Sequence, residues 1–298
     1  GAEFEVQPSV EQVAVTGAEP EVDLVLYDQS GSAAALGTTD EQGSLVFRKV
    51  TPGQGYRVAT VDAQDDPDDE QVVSDPIDVV SIEASMAQQS FYDDQTLEPG
   101  LDYVETRDGT TLSANVTFPS GDGPYPTVVE YSGYSPSEPG DGPSAMAQLF
   151  TTLGFAYVGV NIRGTGCSGG SFLNFEPVQG LDGYDVIETV AAQPWAKFHR
   201  AGMVGISYPG ISQLYVARTQ PPSLSAITPL SVIDDTFRST LYPGGILNTG
   251  FAVPWADERS AQAEPYGQGW EQALVDDGDT TCEANQALRL QNPDPLQL

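Results

Sequence analysis

Short segments that alternate apolar and polar residues predict β-strands in the first third of the chain. Val, Leu and Tyr are frequent in these segments, and turn clusters such as Ser30-Gly31-Ser32 separate them. The predicted strands are Glu11–Thr16, Val22–Tyr27, Ser44–Phe47 and Tyr56–Val61. Several short strands at this spacing are typical of a β-sandwich. We therefore predict an all-β module over residues 1–84, followed by a linker over residues 85–98.

A different pattern begins at Leu101, where a predicted hairpin turns at Asp108-Gly109 between Tyr103–Thr106 and Thr111–Phe118. Apolar strands then alternate with helical stretches. The predicted strands are Thr127–Tyr131, Phe155–Asn161, Met203–Ile206 and Ala226–Val232, and the predicted helices are Ala145–Leu153, Asp182–Ala192 and Ile211–Thr219. Such alternation predicts an α/β domain with a mainly parallel sheet over residues 99–232. Residues 233–298 are less regular, with a helical stretch at Cys282–Leu290, and we predict that they begin a cap.

The stretch Ala201–Ser212 combines an apolar run, a serine and the start of a helix. The run ends at Ser207, which is the layout of a nucleophile elbow, a sharp strand-to-helix turn that exposes a serine hydroxyl. Gly205 leaves room for the turn, because a Cβ atom there would crowd the following helix. The backbone N–H groups at the helix start would suit a developing oxyanion.

The elbow departs from the common Gly-x-Ser-x-Gly pattern at one position. Pro209 lies two residues after Ser207, and the glycine follows one residue later, at Gly210. Proline suits the first turn of a helix, so the segment still fits an elbow. The alternative is a serine without catalytic function in an ordinary strand-to-helix turn.

The charge of the chain argues against two classes of binding partner. Asp and Glu number 43 against 11 Lys and Arg, which gives a formal net charge of −32. Such a surface repels nucleic acid and anionic membranes, so we expect neither as a partner. No apolar run approaches the ~20 residues that span a bilayer. The acidic run Asp62–Glu70 lacks the alternating ligands and central glycine of an EF-hand, and we interpret it as a solvated loop that binds no metal.

Two cysteines, Cys167 and Cys282, are too few for a zinc cluster. In a secreted protein they could form one disulfide that closes a long loop. The chain opens on Gly1-Ala2-Glu3-Phe4 and shows no signal peptide. The acidic composition is similar to that of extracellular proteins, and we expect a secreted or extracellular location.

Two parts of the sequence resemble known families. Residues 38–47 and 50–53 resemble the carboxypeptidase-regulatory, prealbumin-like β-sandwich family. Residues 99–245 resemble the cocaine-esterase-like and Xaa-Pro dipeptidyl-peptidase-like serine hydrolases. The segments that carry this second resemblance are Glu130–Tyr134, Asn161–Gly170, Asp182–Asp185, Gln193–Trp195 and Gly205–Gly210. The resemblance implies an α/β-hydrolase fold, with a doubly wound sheet, that needs no cofactor.

The same resemblance assigns roles to three residues. It makes Ser207 the nucleophile, and it makes the backbone N–H of Tyr208 and the phenol of Tyr134 the two oxyanion donors. A phenol donates a hydrogen bond at neutral pH without adding charge. Tyr134 could instead be an ordinary loop aromatic. We interpret Asp182 as a helix N-cap and Trp195 as a core residue.

The histidine and acid of a catalytic triad cannot be assigned in this chain. His199 is its one histidine, and it lies at the opposite end of the strand from Ser207, ~26 Å away at ~3.3 Å per residue. Lys197 has the same geometry, and Lys49 belongs to the β module. Asp234 and Asp235 follow a strand end, and we interpret them as loop residues. The expectation is therefore an N-terminal fragment of a larger hydrolase, without the triad Asp and His and inactive alone.

These observations favour a serine hydrolase that acts by acyl transfer. The substrate would be an ester with a small acyl group or a peptide with an Xaa-Pro N-terminus. The second hypothesis is a secreted, non-catalytic binding or adhesion protein built on a degenerate hydrolase scaffold.

Overall fold

The computed structural model describes residues 4–61, 72–140 and 142–291. These residues form two compact units. The first contains residues up to Ala87 together with Ala287–Gln291, and the second contains Gln88–Gln286. The predicted solvated loop Asp62–Glu70 lies outside the described residues.

The first unit consists of two antiparallel sheets. Its strands are β1 (Glu5–Pro8), β2 (Gln12–Thr16), β3 (Asp23–Tyr27), β4 (Ala33–Thr38), β5 (Leu45–Arg48), β6 (Gly53–Thr60) and β7 (Ile77–Val79). The sheet orders are β1-β2-β5 and β4-β3-β6-β7. Alternate residues such as Val13 of β2 and Leu24 of β3 are buried in one shared core. The four predicted strands are confirmed, whereas β1, β4 and β7 are additional.

The second unit is built around a six-stranded mixed sheet. Its strands are β8 (Gly100–Glu105), β9 (Thr111–Thr117), β10 (Thr127–Ser132), β11 (Ala156–Asn161), β12 (Ala201–Ile206) and β13 (Leu224–Leu230), in the order β13-β12-β10-β11-β9-β8. β8 and β9 form the predicted hairpin, and β9 pairs antiparallel with β11. β11, β10, β12 and β13 run parallel. The predicted parallel sheet is confirmed, and β13 begins two residues earlier than predicted.

Helices pack on both faces of this sheet. The α-helices of the second unit are α1 (Gln89–Asp93), α2 (Ala145–Thr152), α3 (Pro177–Ala192), α4 (Tyr208–Arg218), α5 (Ala252–Gln262), α6 (Glu271–Asp276) and α7 (Thr280–Ala284). On one face, α3 and α4 share a core with Val129 and Met203. On the other face, α2 packs against Val128 and Val204. Successive strand residues point to opposite faces, so the sheet is doubly wound.

No helix in the described part of the chain is both long enough and apolar enough to cross a bilayer. The segment predicted as a linker, residues 85–98, holds α1 and two buried side chains. Tyr92 donates a hydrogen bond to Asp185 (2.8 Å), and Leu97 belongs to the core of the second unit. Trp195 packs against the same core and donates to the Leu97 carbonyl (3.1 Å), which confirms its predicted core position.

The prediction of Asp182 as a helix N-cap is wrong. α3 begins at Pro177, so Asp182 lies inside the helix. Its carboxylate pairs with Nε and Nη2 of Arg163 at 2.6 and 2.5 Å, and Arg163 also contacts Asp108 at 3.0 Å. The Asp182 and Arg163 side chains are 2% and 5% exposed. Asp182 is therefore one partner of a buried ion pair that joins α3 to the loop after β11.

Cys167 and Cys282 form a disulfide within the second unit, with their Cα atoms 4.6 Å apart. The bond joins the loop after β11 to α7. The predicted helix Cys282–Leu290 differs from the structure, because α7 begins at Thr280 and ends at Ala284. Asn285, the next residue, uses its side-chain amide to bind the Cys167 carbonyl (2.8 Å).

We expect Asp182→Asn to lower the free energy of unfolding by about 3 to 5 kcal/mol, because it removes a counter-charge from a buried guanidinium. An exposed N-cap would cost only ~1 kcal/mol. Urea unfolding measures the difference, with Asp94→Asn, an exposed position at the end of α1, as the control. A loss near 1 kcal/mol for Asp182→Asn would contradict the buried-pair interpretation.

Reduction of the disulfide is expected to lower the urea midpoint substantially. The bond closes a loop with a sequence separation of 115 residues, for which chain entropy gives a stabilisation of about 4 to 5 kcal/mol. The measurement compares unfolding with and without reductant. A double variant, Cys167→Ala with Cys282→Ala, is the control and should not respond to reductant. Equal midpoints for the oxidised and reduced wild-type chain would refute the stabilising role.

Candidate active site

Ser207 occupies the turn between β12 and α4 in a left-handed backbone conformation, with φ 67° and ψ −123°. Residues other than glycine adopt this region at a cost, and such strain is found most often at functional sites. The turn is held by backbone hydrogen bonds. The Ser207 N–H donates to the Leu230 carbonyl (2.9 Å), and the Ser207 carbonyl accepts from the N–H groups of Gly210 and Ile211 (2.8 Å each).

Two glycines make this turn possible by allowing close approaches. A Cβ atom on Gly205, where φ is +147°, would lie 2.5 Å from Cβ of Pro209. A Cβ atom on Gly210 would lie 2.3 Å from the Leu230 carbonyl oxygen. Pro209 lies in the first turn of α4, where its missing N–H costs no helical hydrogen bond. Gly210, the glycine that lies one residue later than in the common motif, therefore allows α4 to approach the end of β13 closely.

Tyr208 begins α4 and is fully buried. Its ring contacts those of Phe175, Tyr134 and Trp255, with centroid distances of 5.0, 5.6 and 5.7 Å. Burial raises the pKa of Tyr208 well above its ordinary value, so the phenol stays neutral. The backbone N–H of Tyr208 lies in the first helical turn, where N–H groups have no partner within the helix. It is therefore suited to the predicted oxyanion role.

Tyr134 lies in the loop after β10 and is held through its backbone and its ring. Its carbonyl accepts from the side-chain amides of Gln268 (2.7 Å) and Asn161 (2.9 Å). Its hydroxyl oxygen accepts from the indole N–H of Trp255 (3.2 Å). The guanidinium carbon of Arg259 lies 4.7 Å from the ring centroid. The structure thus packs Tyr134 against Tyr208, the residue that follows the predicted nucleophile.

Three of the residues that contact Tyr134 were not predicted from the sequence. Trp255, Arg259 and Gln268 belong to the irregular region after residue 232, where no motif marked them. The spacing of Trp255 and Arg259, four residues apart on α5, is a weak signal that places both on one helix face. Asn161 lies within a segment that carried the family resemblance, although no role was assigned to it.

A cavity of about 550 Å³ opens beside Ser207. Most of its lining is apolar, and the large apolar side chains are Phe175, Ile211, Ile233, Phe237, Leu241, Phe251 and Trp255. Its polar lining, apart from Ser207, is neutral and consists of Asn174, Ser231, Thr236 and Thr240. Among the described residues, no charged side chain lines this cavity.

His199 lies in a 3₁₀ turn before β12, and Ser207 lies after the same strand. Nδ1 of His199 is 3.2 Å from the Ala191 carbonyl oxygen. The whole length of β12 thus separates the imidazole from the predicted nucleophile, and Lys197 lies in the same 3₁₀ turn. Neither residue is placed to act as the base for Ser207.

Asp234 and Asp235 bond within the exposed turn that follows β13. Asp235 caps the π-helical turn Thr236–Leu241 and accepts from the Arg238 N–H (2.7 Å). Asp234 accepts from the Ser239 hydroxyl (2.6 Å), which lowers the pKa of Asp234. In residues 4–61, 72–140 and 142–291, no three His, Cys, Asp or Glu side chains are grouped as metal ligands would be.

The chain is similar to several known proteins over part of its length. The chain is 29% identical over 156 residues to the cocaine esterase of a Rhodococcus species, a match that covers 51% of this chain. A CocE/NonD family hydrolase from Staphylococcus aureus matches 67% of this chain, with 22% identity and a TM-score of 0.50. An aminopeptidase from a marine sediment archaeon, Thaumarchaeota archaeon, matches 60%, with 18% identity and a TM-score of 0.50. These two structural likenesses show the α/β-hydrolase fold.

The matched segments span 27% to 39% of the lengths of these three proteins. In the cocaine esterase, the matched part is 27% of the protein. The family model for X-Pro dipeptidyl-peptidase (S15 family) matches residues 108–297, which is more than half of the chain. The chain therefore belongs to the S15 family of X-Pro dipeptidyl-peptidases and related hydrolases.

Proposed function

We propose that the protein is a serine hydrolase that acts by acyl transfer through Ser207. The observation that carries this proposal is the left-handed turn at Ser207, which leads directly into Tyr208, whose ring packs against that of Tyr134. Ser207 Oγ would bond to the substrate carbonyl carbon as the C=O electron pair moves onto oxygen. The leaving group would depart with a proton, and water would then release the acyl group as an acid.

The oxyanion would lie between the phenol of Tyr134 and the backbone N–H of Tyr208. Both are neutral donors, so they favour the charge that develops in the transition state without binding an anionic ground state. The loss of one such donor typically costs about 10²- to 10³-fold in kcat. A purely adhesive function would not require a serine in a strained backbone conformation at a strand-to-helix turn.

We propose that the general base and its orienting acid come from residues that are not in this chain. A base must lie within about 3 Å of the proton that it accepts. The single histidine of the chain lies at the wrong end of β12. Alone, the 298-residue chain would therefore hold the nucleophile and the oxyanion donors without the group that activates the serine.

The cavity favours a neutral ester over a peptide with a free amino terminus. A dipeptidyl-peptidase binds the ammonium group of its substrate, and an ammonium that is buried without a carboxylate costs several kcal/mol. The described lining of the cavity is apolar or neutral. We therefore propose a substrate with an apolar, uncharged acyl group.

An extracellular location is part of this proposal. The disulfide between Cys167 and Cys282 is of a kind that persists in oxidising compartments. The net charge of −32 keeps the surface soluble and repels anionic membranes.

A fluorophosphonate probe tests the nucleophile and the base together on the 298-residue chain. We expect little mass increase in the wild-type chain, because neither His199 nor Lys197 is placed to act as a base for Ser207. The controls are Ser207→Ala and Ser231→Ala, the latter a second hydroxyl of the same cavity. Rapid labelling that Ser207→Ala abolishes and Ser231→Ala retains would confirm the nucleophile and refute a base from outside the chain.

Substrate choice is tested with the longest gene product that contains this chain. We expect turnover of p-nitrophenyl butyrate and benzoate, with no turnover of Ala-Pro p-nitroanilide above background. The reason is that the lining of the cavity, as far as the structure describes the chain, holds no charged side chain to pair with the ammonium group. Ser207→Ala should lower ester kcat/KM by about 10⁴-fold or more. Faster hydrolysis of the anilide than of either ester would assign the protein to peptides instead.

A further inference from the structure

The hydrogen bond between Trp255 and Tyr134 has a fixed direction. An indole N–H donates and cannot accept, so the Tyr134 hydroxyl oxygen must be the acceptor of the 3.2 Å contact. The phenol hydrogen takes no part in this bond. Among the described residues, no other group bonds the Tyr134 hydroxyl, so its hydrogen remains available to a ligand.

Two further contacts restrict the orientation of the Tyr134 ring. It meets the Tyr208 ring edge to face, at an interplanar angle of 84°. Arg259 lies one helical turn after Trp255 on α5, and its guanidinium is within cation–π distance of the same ring. Arg259 is 5% exposed, so water screens this contact weakly.

The backbone of Tyr134 is fixed by the same region of the chain. Nε2 of Gln268 donates to the carbonyls of Gly133 (3.1 Å) and Tyr134 (2.7 Å). Oε1 of Gln268 accepts from the indole of Trp270 (3.2 Å), which orients the amide. The segment 252–270 therefore holds both the backbone and the phenol of one residue that lies more than 100 positions earlier in the sequence.

We propose that Trp255 is a positioning residue that directs the Tyr134 hydroxyl proton toward the oxyanion. By occupying one side of the phenol oxygen, the indole N–H leaves the O–H to point elsewhere. A donor into the phenol oxygen also polarises the O–H and strengthens its own hydrogen bond. This inference rests on the proposed function, because it assumes that Tyr134 is an oxyanion donor.

Trp255 also lines the cavity, so its two roles must be separated. Trp255→Phe removes the N–H and keeps an aromatic wall. If Trp255 only lined the cavity, Trp255→Phe would change mainly KM. The size of that change would be the same with or without the Tyr134 hydroxyl. If Trp255 acts through Tyr134, the variant lowers kcat, and the effect vanishes in a Tyr134→Phe background.

The contact itself is tested by NMR on the 298-residue chain with ¹⁵N-labelled indoles, which gives three signals for its three tryptophans. Tyr134→Phe is expected to shift the Trp255 indole signal and to speed its exchange with D₂O. The Trp195 signal is the control, because that indole donates to the Leu97 carbonyl away from the loop. An unchanged Trp255 signal would overturn the inference.

The positioning role is tested by ester hydrolysis with the longest gene product that contains the chain. We expect Trp255→Phe to lower kcat by about 5- to 10-fold with KM changed less than twofold, because the Tyr134 hydroxyl remains but loses its orientation. Tyr134→Phe removes that hydroxyl and should lower kcat by about 10²- to 10³-fold. The double variant should be no slower than Tyr134→Phe alone. Trp195→Phe, which removes an indole N–H in the core, should leave kcat unchanged.

Two results separate this inference from the proposed function. Additive effects of Trp255→Phe and Tyr134→Phe in an active enzyme would overturn the positioning role and leave the hydrolase function intact. A wild-type protein without esterase activity, whose Trp255 signal still responds to Tyr134→Phe, would refute the hydrolase function and support the contact.

Discussion

The left-handed backbone of Ser207 is the constraint on which the site depends. A residue with a side chain adopts this conformation only where the surrounding contacts stabilise it by more than the backbone strain costs. Here the end of β13 supplies the fixing group, because the Leu230 carbonyl accepts from the Ser207 N–H and lies directly against Gly210. The end of β13, the start of α4 and the half-buried serine are therefore held together by the same backbone contacts.

Tyr134 and the groups that hold it come from distant parts of the sequence. The loop after β10 contributes Tyr134, β11 contributes Asn161, and α5 and the loop after it contribute Trp255 and Gln268. The disulfide at Cys282 ties the end of this later segment back to the loop after β11. The buried amide of Asn161 favours one geometry of this network, because a buried amide left unpaired would carry a desolvation cost.

Much of the fold was predictable, because its elements are local in sequence. Period-two alternation located four strands of the first unit, and apolar runs located the parallel strands of the second. The turn at Ser207 followed from glycine spacing around a buried run. Asp182 was misplaced because the start of α3 is marked by Pro177 and carries no capping side chain. β4 was missed because its small Ala residues are largely exposed and give no apolar alternation. The Trp255 and Gln268 contacts span more than 100 residues, and no local pattern encodes them.

The one-residue shift of the second glycine changes how this elbow should be recognised in other chains. A pattern written as a fixed spacing treats Pro209 as an error, although the proline fits the helix and the next residue makes the close approach. What the turn requires is an absent Cβ where the helix meets a neighbouring strand end. A search that scores steric clearance at each position, in place of letters at fixed intervals, would group such variants with the common form and would find hydrolases that the spacing alone leaves out.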